Sequence, residues 1–126
     1  MGFVSAKILL VEDNKNNLRA LTLYLELMGI MVEQAEDGFE ALRKLDHKTF
    51  DIVISDIGIP GLNGLDLAKR IHDEFGGIPI VLMTGDPRAR VNQSVHEAGV
   101  TGLLIKPFTP RELMTTINRT VAGKDI

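Results

Sequence analysis

Five polar side chains with complementary chemistry follow short apolar runs of this sequence: Glu12, Asp13, Asp56, Thr84 and Lys106. Taken singly, each has an ordinary explanation, because a lone aspartate at the end of a strand usually caps a turn or a helix. Together they supply three carboxylates, one hydroxyl and one ammonium, and that combination indicates a site for a metal ion and a phosphate. Crowded carboxylates repel one another and raise one another's pKa. A hard divalent cation relieves this repulsion, and Mg²⁺ commonly takes one or two carboxylates together with a phosphate oxygen.

Five short apolar runs cover residues 8–11, 31–32, 52–54, 78–83 and 103–105. Three of them are continuous and rich in branched residues, as is typical of β-strands buried on both faces. Between them, apolar residues recur at helical spacing and predict five helices. The expected apolar faces are Leu18, Leu21, Leu25 and Met28; Ala41, Leu42 and Leu45; Leu65, Ala68, Ile71 and Phe75; Val91, Val95 and Ala98; and Leu113, Ile117 and Val121.

Strict alternation of strands and helices predicts an α/β fold, a single doubly wound domain of the flavodoxin-like kind with helices on both faces of a parallel sheet. For five strands the expected order is 2-1-3-4-5. Ligands of such sheets bind beyond the carboxyl ends of the strands, at the point between strands 1 and 3 where the strand order reverses. We therefore expect all five polar side chains at one edge of the sheet.

Residues typical of helix ends support these predicted helices. Gly29 and Gly99 stand where a helix ends and a left-handed residue is favoured. Thr109, Pro110 and Glu112 combine a capping hydroxyl, a proline in the first helical turn and a glutamate that closes a capping box. A final helix is therefore expected to begin at about residue 110.

Composition limits the function classes. The 126 residues suit one domain, with a core at about 7–121, a lead-in at 1–6 and a tail at 122–126. A net charge of −3 without a basic run gives no support for contact with nucleic acid or membrane. The absence of cysteine excludes disulfides and thiol chemistry. No apolar stretch approaches the ~20 residues of a membrane span. A cytoplasmic location is expected, with which the absence of cysteine is compatible.

The motifs, in this order, resemble the receiver domain of response regulators, the phosphoacceptor module of two-component systems. The resemblance covers residues 7 to about 121. It rests on Leu-Val-Glu-Asp at 10–13, Asp-Ile-Gly-Ile-Pro-Gly at 56–61, Met-Thr-Gly at 83–85 and Lys-Pro-Phe at 106–108. Each motif is weak alone, but on these elements and in this order they are specific.

The resemblance implies a phosphoacceptor and a metal site. Asp56 would take a phosphoryl group from a histidine kinase or a histidine phosphotransfer protein and form an aspartyl phosphate. Mg²⁺ or Mn²⁺ would be bound by Asp13, Asp56 and the backbone carbonyl of Gly58, with Glu12 binding it directly or through water. A linked kinase or output domain beyond residue 126 is compatible with this reading.

The same resemblance implies supporting roles around the phosphate. Lys106 would supply a positive charge, Thr84 would donate a hydroxyl hydrogen bond, and the peptide bond before Pro107 is expected to be cis. Phosphorylation would shift the face formed by the fourth helix, the fifth strand and the fifth helix. The chain is thus expected to be a signalling domain rather than an enzyme, one that catalyses only its own phosphorylation and autodephosphorylation.

Four positions depart from the family pattern. Leu103 stands where relatives usually carry an aromatic residue that moves with the threonine, so that coupling is not expected here. Thr101 and Gly102 replace an aspartate pair that many transcriptional regulators use in a charged dimer interface. Gly58 has no side chain to shield a phosphate, so we expect a short phosphoryl lifetime.

Three other function classes compete with this one. A phosphohydrolase that uses an aspartyl phosphate would place its nucleophile after strand 1, whereas Asp56 follows strand 3. A flavin carrier would need a Thr/Ser/Gly phosphate loop after strand 1, where Glu12 and Asp13 would repel the phosphate. A degenerate receiver that only binds partners is disfavoured by the intact set of five residues.

His47, His72 and His96 are expected on exposed helix positions and are not expected to act as phosphodonors.

Overall fold

The computed structural model describes residues 6–124 of the chain. Its parallel sheet has the strand order β2-β1-β3-β4-β5, which confirms the predicted order. The strands are β1 Lys7–Val11, β2 Met31–Ala35, β3 Ile52–Asp56, β4 Ile80–Thr84 and β5 Gly102–Ile105. The helices are α1 Lys15–Leu27, α2 Gly38–His47, α3 Gly64–Glu74, α4 Gln93–Glu97 and α5 Pro110–Lys124, with a short 3₁₀ helix at Pro87–Val91 before α4.

Two apolar cores form on the two faces of the sheet, because successive residues of a strand point to opposite sides. In β1, Leu9 and Val11 contribute to one core, together with residues of α2 and α3. Ile8 and Leu10 contribute to the other core, together with residues of α1 and α5. The central strands are therefore buried on both faces, as their continuous apolar runs predict.

The predicted helix boundaries have the expected chemistry. Gly29 and Gly99 both adopt positive φ, 83° and 79°, as helix C-terminal positions favour. At the start of α5, Thr109 Oγ1 accepts the Glu112 N–H at 3.0 Å while a Glu112 carboxylate oxygen accepts the Thr109 N–H at 3.0 Å. This reciprocal pair is the predicted capping box.

The segment before β5 differs from the prediction. The expected face of Val91, Val95 and Ala98 is wrong at its first member, because Val91 is 84% exposed while Val95 and Ala98 are buried. The physical reason is Asn92, whose side chain accepts the N–H groups of Ser94 and Val95 and so begins a new helix after Val91. Only five residues of α4 remain.

No helix in the described part of the chain combines the length and apolar character that a membrane crossing requires. Residues 1–5 of the predicted lead-in and 125–126 of the predicted tail lie outside the described residues, whereas 122–124 continue α5. The predicted domain boundaries stay predictions.

Candidate functional site

Three acidic residues meet at the carboxyl end of the sheet. β1 and β3 are neighbours, and Val11 pairs with Ser55, so Glu12 and Asp13 emerge beside Asp56. One carboxylate oxygen from each of the three lies within 4.8 Å of the others. The structure thus brings together the three side chains for which the sequence predicts a shared metal site.

Glu12 is the most deeply buried of the three, with 1% of its surface exposed. Its Oε2 accepts the Asn14 N–H at 3.1 Å, but its Oε1 is buried without a hydrogen-bond donor in the described part of the chain. Burial first, and the nearby Asp56 charge as well, raise the pKa of Glu12, although the Asn14 hydrogen bond opposes them. A buried carboxylate oxygen without a donor is costly, and a bound cation would satisfy it.

Asp56 ends β3 and is half-buried. One of its oxygens, Oδ2, accepts a hydrogen bond from Lys106 Nζ at 2.9 Å, and the other, Oδ1, accepts the Gly58 N–H at 3.3 Å. Asp13 is exposed, so the acidic cluster opens to solvent on its side. A ligand from solution would therefore reach Asp56 past Asp13.

Lys106 follows β5 and contacts two members of the acidic cluster. Its Nζ lies 2.9 Å from Asp56 Oδ2 and 3.6 Å from Glu12 Oε1. Partial burial by itself disfavours the charge, but the hydrogen bond to Asp56 and the attraction of Asp56 and Glu12 outweigh it and raise the pKa of Lys106. The ammonium therefore stays charged at neutral pH. The peptide bond between Lys106 and Pro107 is cis, as predicted.

Thr84 is the last residue of β4 and is buried. Since Asp56 pairs with Met83, Thr84 lies one residue beyond that pair on the neighbouring strand. Its Oγ1 accepts the Asp86 N–H at 3.2 Å. Because this bond uses only a lone pair, the hydroxyl proton remains available to an incoming oxygen.

Gly64 is a site residue that the sequence reasoning missed. A Cβ on Gly64 would lie 2.5 Å from the Asp56 carbonyl oxygen and 2.7 Å from Ile57 Cα, so only glycine allows α3 to begin this close to Asp56. The Gly64 N–H also donates to the Ile57 carbonyl at 2.9 Å. In the sequence, Gly64 directly follows Asn63, which caps α3. A glycine at the start of a helix is a poor helix former, and this could have indicated that the position needs a residue without a side chain.

Other candidate residues lie apart from the cluster or stay unassigned. His47, His72 and His96 are all exposed, as expected. Gly58 is exposed, and a Cβ built on it meets no atom within 4 Å. Its role as a carbonyl ligand stays a prediction.

Comparison with known proteins agrees with this geometry. A family model described as the response regulator receiver domain matches residues 8–118. Chemotaxis protein CheY-3 of Vibrio cholerae is 32% identical over 116 residues, which cover 90% of this chain and 89% of that protein. Transcriptional regulatory protein ResD of Bacillus subtilis is 31% identical over 111 residues, 88% of this chain but only 46% of ResD. The chain therefore spans less than half of that relative.

Among solved structures, the receiver domain of sensor histidine kinase PA1611 from Pseudomonas aeruginosa is similar over nearly its whole length. The TM-score is 0.83 at 30% identity, and the match covers 94% of this chain and 99% of that one. That structure holds a magnesium ion coordinated in its active site cleft.

Proposed function

The chain belongs to the response regulator receiver domain family, and from that premise we propose that Asp56 accepts a phosphoryl group in a reaction that needs a divalent cation. Receiver domains are phosphoacceptor signalling domains of two-component systems and pair with histidine kinases; they are not classical enzymes. The finer proposal concerns which residues of this chain carry the transfer. It rests chiefly on the acidic cluster with Lys106 beside Asp56.

The residues present fit Mg²⁺ or Mn²⁺. Glu12 contributes a buried oxygen without a donor, and Asp13 and Asp56 bring further carboxylate oxygens within 4.8 Å of it. With the carbonyl of Gly58 these would hold the cation. When bound, the cation supplies neutralising charge for the carboxylates and for the phosphoryl oxygens. The magnesium in the PA1611 receiver domain supports this proposal by analogy.

The side chains divide the work of phosphoryl transfer. An Asp56 oxygen attacks phosphorus, so an O–P bond forms while the P–N bond of a phosphohistidine donor breaks, and the histidine nitrogen leaves with the electron pair. Lys106, 2.9 Å from Asp56, first holds the carboxylate and then faces the phosphoryl oxygens. The Thr84 hydroxyl donates a hydrogen bond to one of these oxygens. Positioning and charge stabilisation supply most of the rate in such transfers.

The phosphoryl group adds about −1.5 to −2 charges and three acceptor oxygens. Thr84 Oγ1 accepts the Asp86 N–H in the loop after β4. Movement of the Thr84 hydroxyl toward the phosphoryl group therefore also moves the segment that leads into α4. We expect the α4–β5–α5 face to have two conformations, and phosphorylation to increase the population of the active one. Leu103 takes the place of an aromatic residue, so this shift proceeds without an aromatic rotation.

The proposal is tested by incubating the chain with Mg²⁺ and acetyl phosphate and weighing the intact protein. We expect an added mass of one phosphoryl group, its loss in Asp56→Asn, and its loss when EDTA replaces Mg²⁺. An adduct that persists in Asp56→Asn, or a wild type that never gains the mass, would contradict the proposal. Steady release of phosphate from ordinary phosphate monoesters, which are not acyl phosphates, would instead indicate a phosphohydrolase.

A further inference from the structure

The loop between β3 and α3 covers residues 57–63 and carries Gly58, whose carbonyl is a proposed ligand of the cation. The position of that carbonyl relative to Asp56 therefore depends on how the loop is held. The amino end of the loop is fixed to the sheet, because the Ile57 N–H donates to the Met83 carbonyl at 2.9 Å. The middle of the loop lies against the start of α2.

Gly38 is the first residue of α2 and is buried. A Cβ built on Gly38 would lie 2.8 Å from Leu62 Cβ and would overlap the Leu62 carbonyl oxygen. A close-packed interior has no room for contacts this short, so α2 approaches the loop this closely only because residue 38 is a glycine. Leu62 is itself partly buried against the core that α2 and α3 share.

Phe39 contacts the same loop one residue earlier. Two carbons of its ring, Cδ2 and Cε2, lie 3.1 Å from the position that a Cβ on Gly61 would occupy. Gly61 also has a positive φ of 73°, so both the conformation and the space at this position favour glycine. The Phe39 side chain is 51% exposed, but its ring packs on the Gly61 backbone instead of projecting freely into solvent.

The segment that leads from β2 into α2 is fixed to the acidic cluster at its other end. The Ala35 carbonyl, at the end of β2, accepts the Glu12 N–H at 3.0 Å. The Asp37 carboxylate caps α2 by accepting the Glu40 N–H at 2.8 Å, and the Glu40 carboxylate accepts the Glu36 N–H at 2.7 Å. Five consecutive residues, 35–39, therefore connect the backbone of Glu12 to the middle of the β3–α3 loop.

We propose that Gly38 and Phe39 are positioning residues for the cation site, because they hold the β3–α3 loop against Asp56 so that the Gly58 carbonyl can bind the cation. Neither residue belongs to the acidic cluster, and both act through the middle of the loop. Residues that support metal ligands from outside typically change metal affinity by about 10- to 100-fold when they are replaced. This inference rests on the proposed function, since it concerns the same cation.

Binding is measured on the full chain, labelled with ¹⁵N, by titration with MgCl₂ in the absence of a phosphodonor, and the amides of Asp13 and Gly58 are followed. We expect Gly38→Ala to weaken Mg²⁺ binding by about tenfold, because the added Cβ displaces the loop. Gly76→Ala is the matched control, since its Cβ finds its nearest atom at 3.9 Å, and it should bind Mg²⁺ like the wild type. Equal affinities for the two variants would overturn the proposal.

Phe39→Ala is the second variant, and it decides the question if Gly38→Ala does not fold. We expect a severalfold loss of Mg²⁺ affinity, smaller than in Gly38→Ala because no backbone atoms are forced apart. Phe39→Leu keeps an apolar side chain over Gly61 and should restore most of the affinity. Leu27→Ala is the control, because it removes another exposed large apolar side chain, at the end of α1. Equal affinities for Phe39→Ala and Leu27→Ala would overturn the proposal.

Spectra in EDTA supply a readout that does not depend on the cation. Both variants are expected to shift the Gly58 amide, and a change confined to α2 would overturn the proposal. Dispersed spectra check that each variant is folded. A wild type whose acidic cluster does not respond to Mg²⁺ would contradict the proposed function and this inference together. A wild type that responds, with variants that match their controls, would overturn this inference alone.

Discussion

Lys106 Nζ lies 2.9 Å from Asp56 Oδ2, although the two residues are 50 positions apart in the sequence. The contact spans the sheet, since Asp56 ends β3, Lys106 follows β5, and β4 lies between these strands. The same ammonium lies 3.6 Å from the buried Glu12 Oε1. The Lys106 ammonium therefore lies close to two of the three carboxylates. Its single positive charge leaves the cluster with excess negative charge.

Lys106→Met is expected to slow phosphorylation of Asp56 by acetyl phosphate by about a hundredfold, the usual loss when one preorganised donor is removed from a site where charge develops. The rate is measured by intact mass against time at saturating Mg²⁺. Lys69→Met is the control, because Lys69 is exposed on α3 and lies outside the site. Equal rates for the two variants would show that Lys106 takes no part in the transfer.

Asp13→Asn is expected to stabilise the chain in EDTA and to abolish the stabilisation by Mg²⁺. Removing one of three crowded charges relieves repulsion of about 1 kcal/mol, the size of a like-charge interaction at ~4 Å in water. The free energy of unfolding is measured in urea, with EDTA or with MgCl₂. Glu97→Gln removes the same charge from exposed α4 and should preserve the Mg²⁺ effect. An Asp13→Asn protein that Mg²⁺ still stabilises as strongly as wild type would remove Asp13 from the metal site.

Gly64→Ala is expected to lower the free energy of unfolding by about 1–3 kcal/mol, as overpacking does, and to slow phosphorylation. The added Cβ would meet backbone atoms of Asp56 and Ile57 at 2.5 and 2.7 Å, so the backbone around the phosphoacceptor must move. Gly76→Ala is a matched control, since its Cβ finds its nearest atom, the His72 carbonyl oxygen, at 3.9 Å. If both variants unfold at the same urea concentration, the close approach at Gly64 is not important for stability.

Gly58→Met is expected to lengthen the life of the aspartyl phosphate severalfold. Gly58 lies two residues past Asp56, and its Cβ position is open space, so a longer side chain fits and excludes water from the acyl phosphate. Decay of the adduct is followed by mass after the phosphodonor is removed. Gly76→Met, away from the site, should decay like the wild type. Unchanged decay in Gly58→Met would mean that shielding at this position does not control the lifetime.

Much of this arrangement follows from local sequence rules. Continuous apolar runs predict the buried strands, and helical spacing with the caps at Gly29 and Thr109 predicts where α1 ends and α5 begins. The rule that ligands lie at the carboxyl ends of parallel strands then brings Glu12, Asp13 and Asp56 together. These inferences succeed because each depends on neighbours in the sequence or on a general rule of sheet topology.

The remaining features depend on tertiary distances that sequence patterns do not carry. The close approach of Gly64 to Asp56 is a contact between a helix start and a strand end, and the donor-free Oε1 of Glu12 depends on which groups surround it. Helical spacing at Val91, Val95 and Ala98 predicts one longer helix, but the Asn92 side chain caps α4 and starts the helix after Val91.

The strand order 2-1-3-4-5 also constrains how this protein comes into being. A ribosome releases Glu12 and Asp13 early, but the acidic cluster cannot assemble until β3 has been made and has paired with β1, and Lys106 joins only after β5 closes the edge. An amino-terminal fragment that lacks β3 holds only part of the proposed ligand set. The proposed sensitivity to Mg²⁺ would therefore appear only after β3 has paired with β1, and a split version of the chain would regain it only when its two halves reassemble into one sheet.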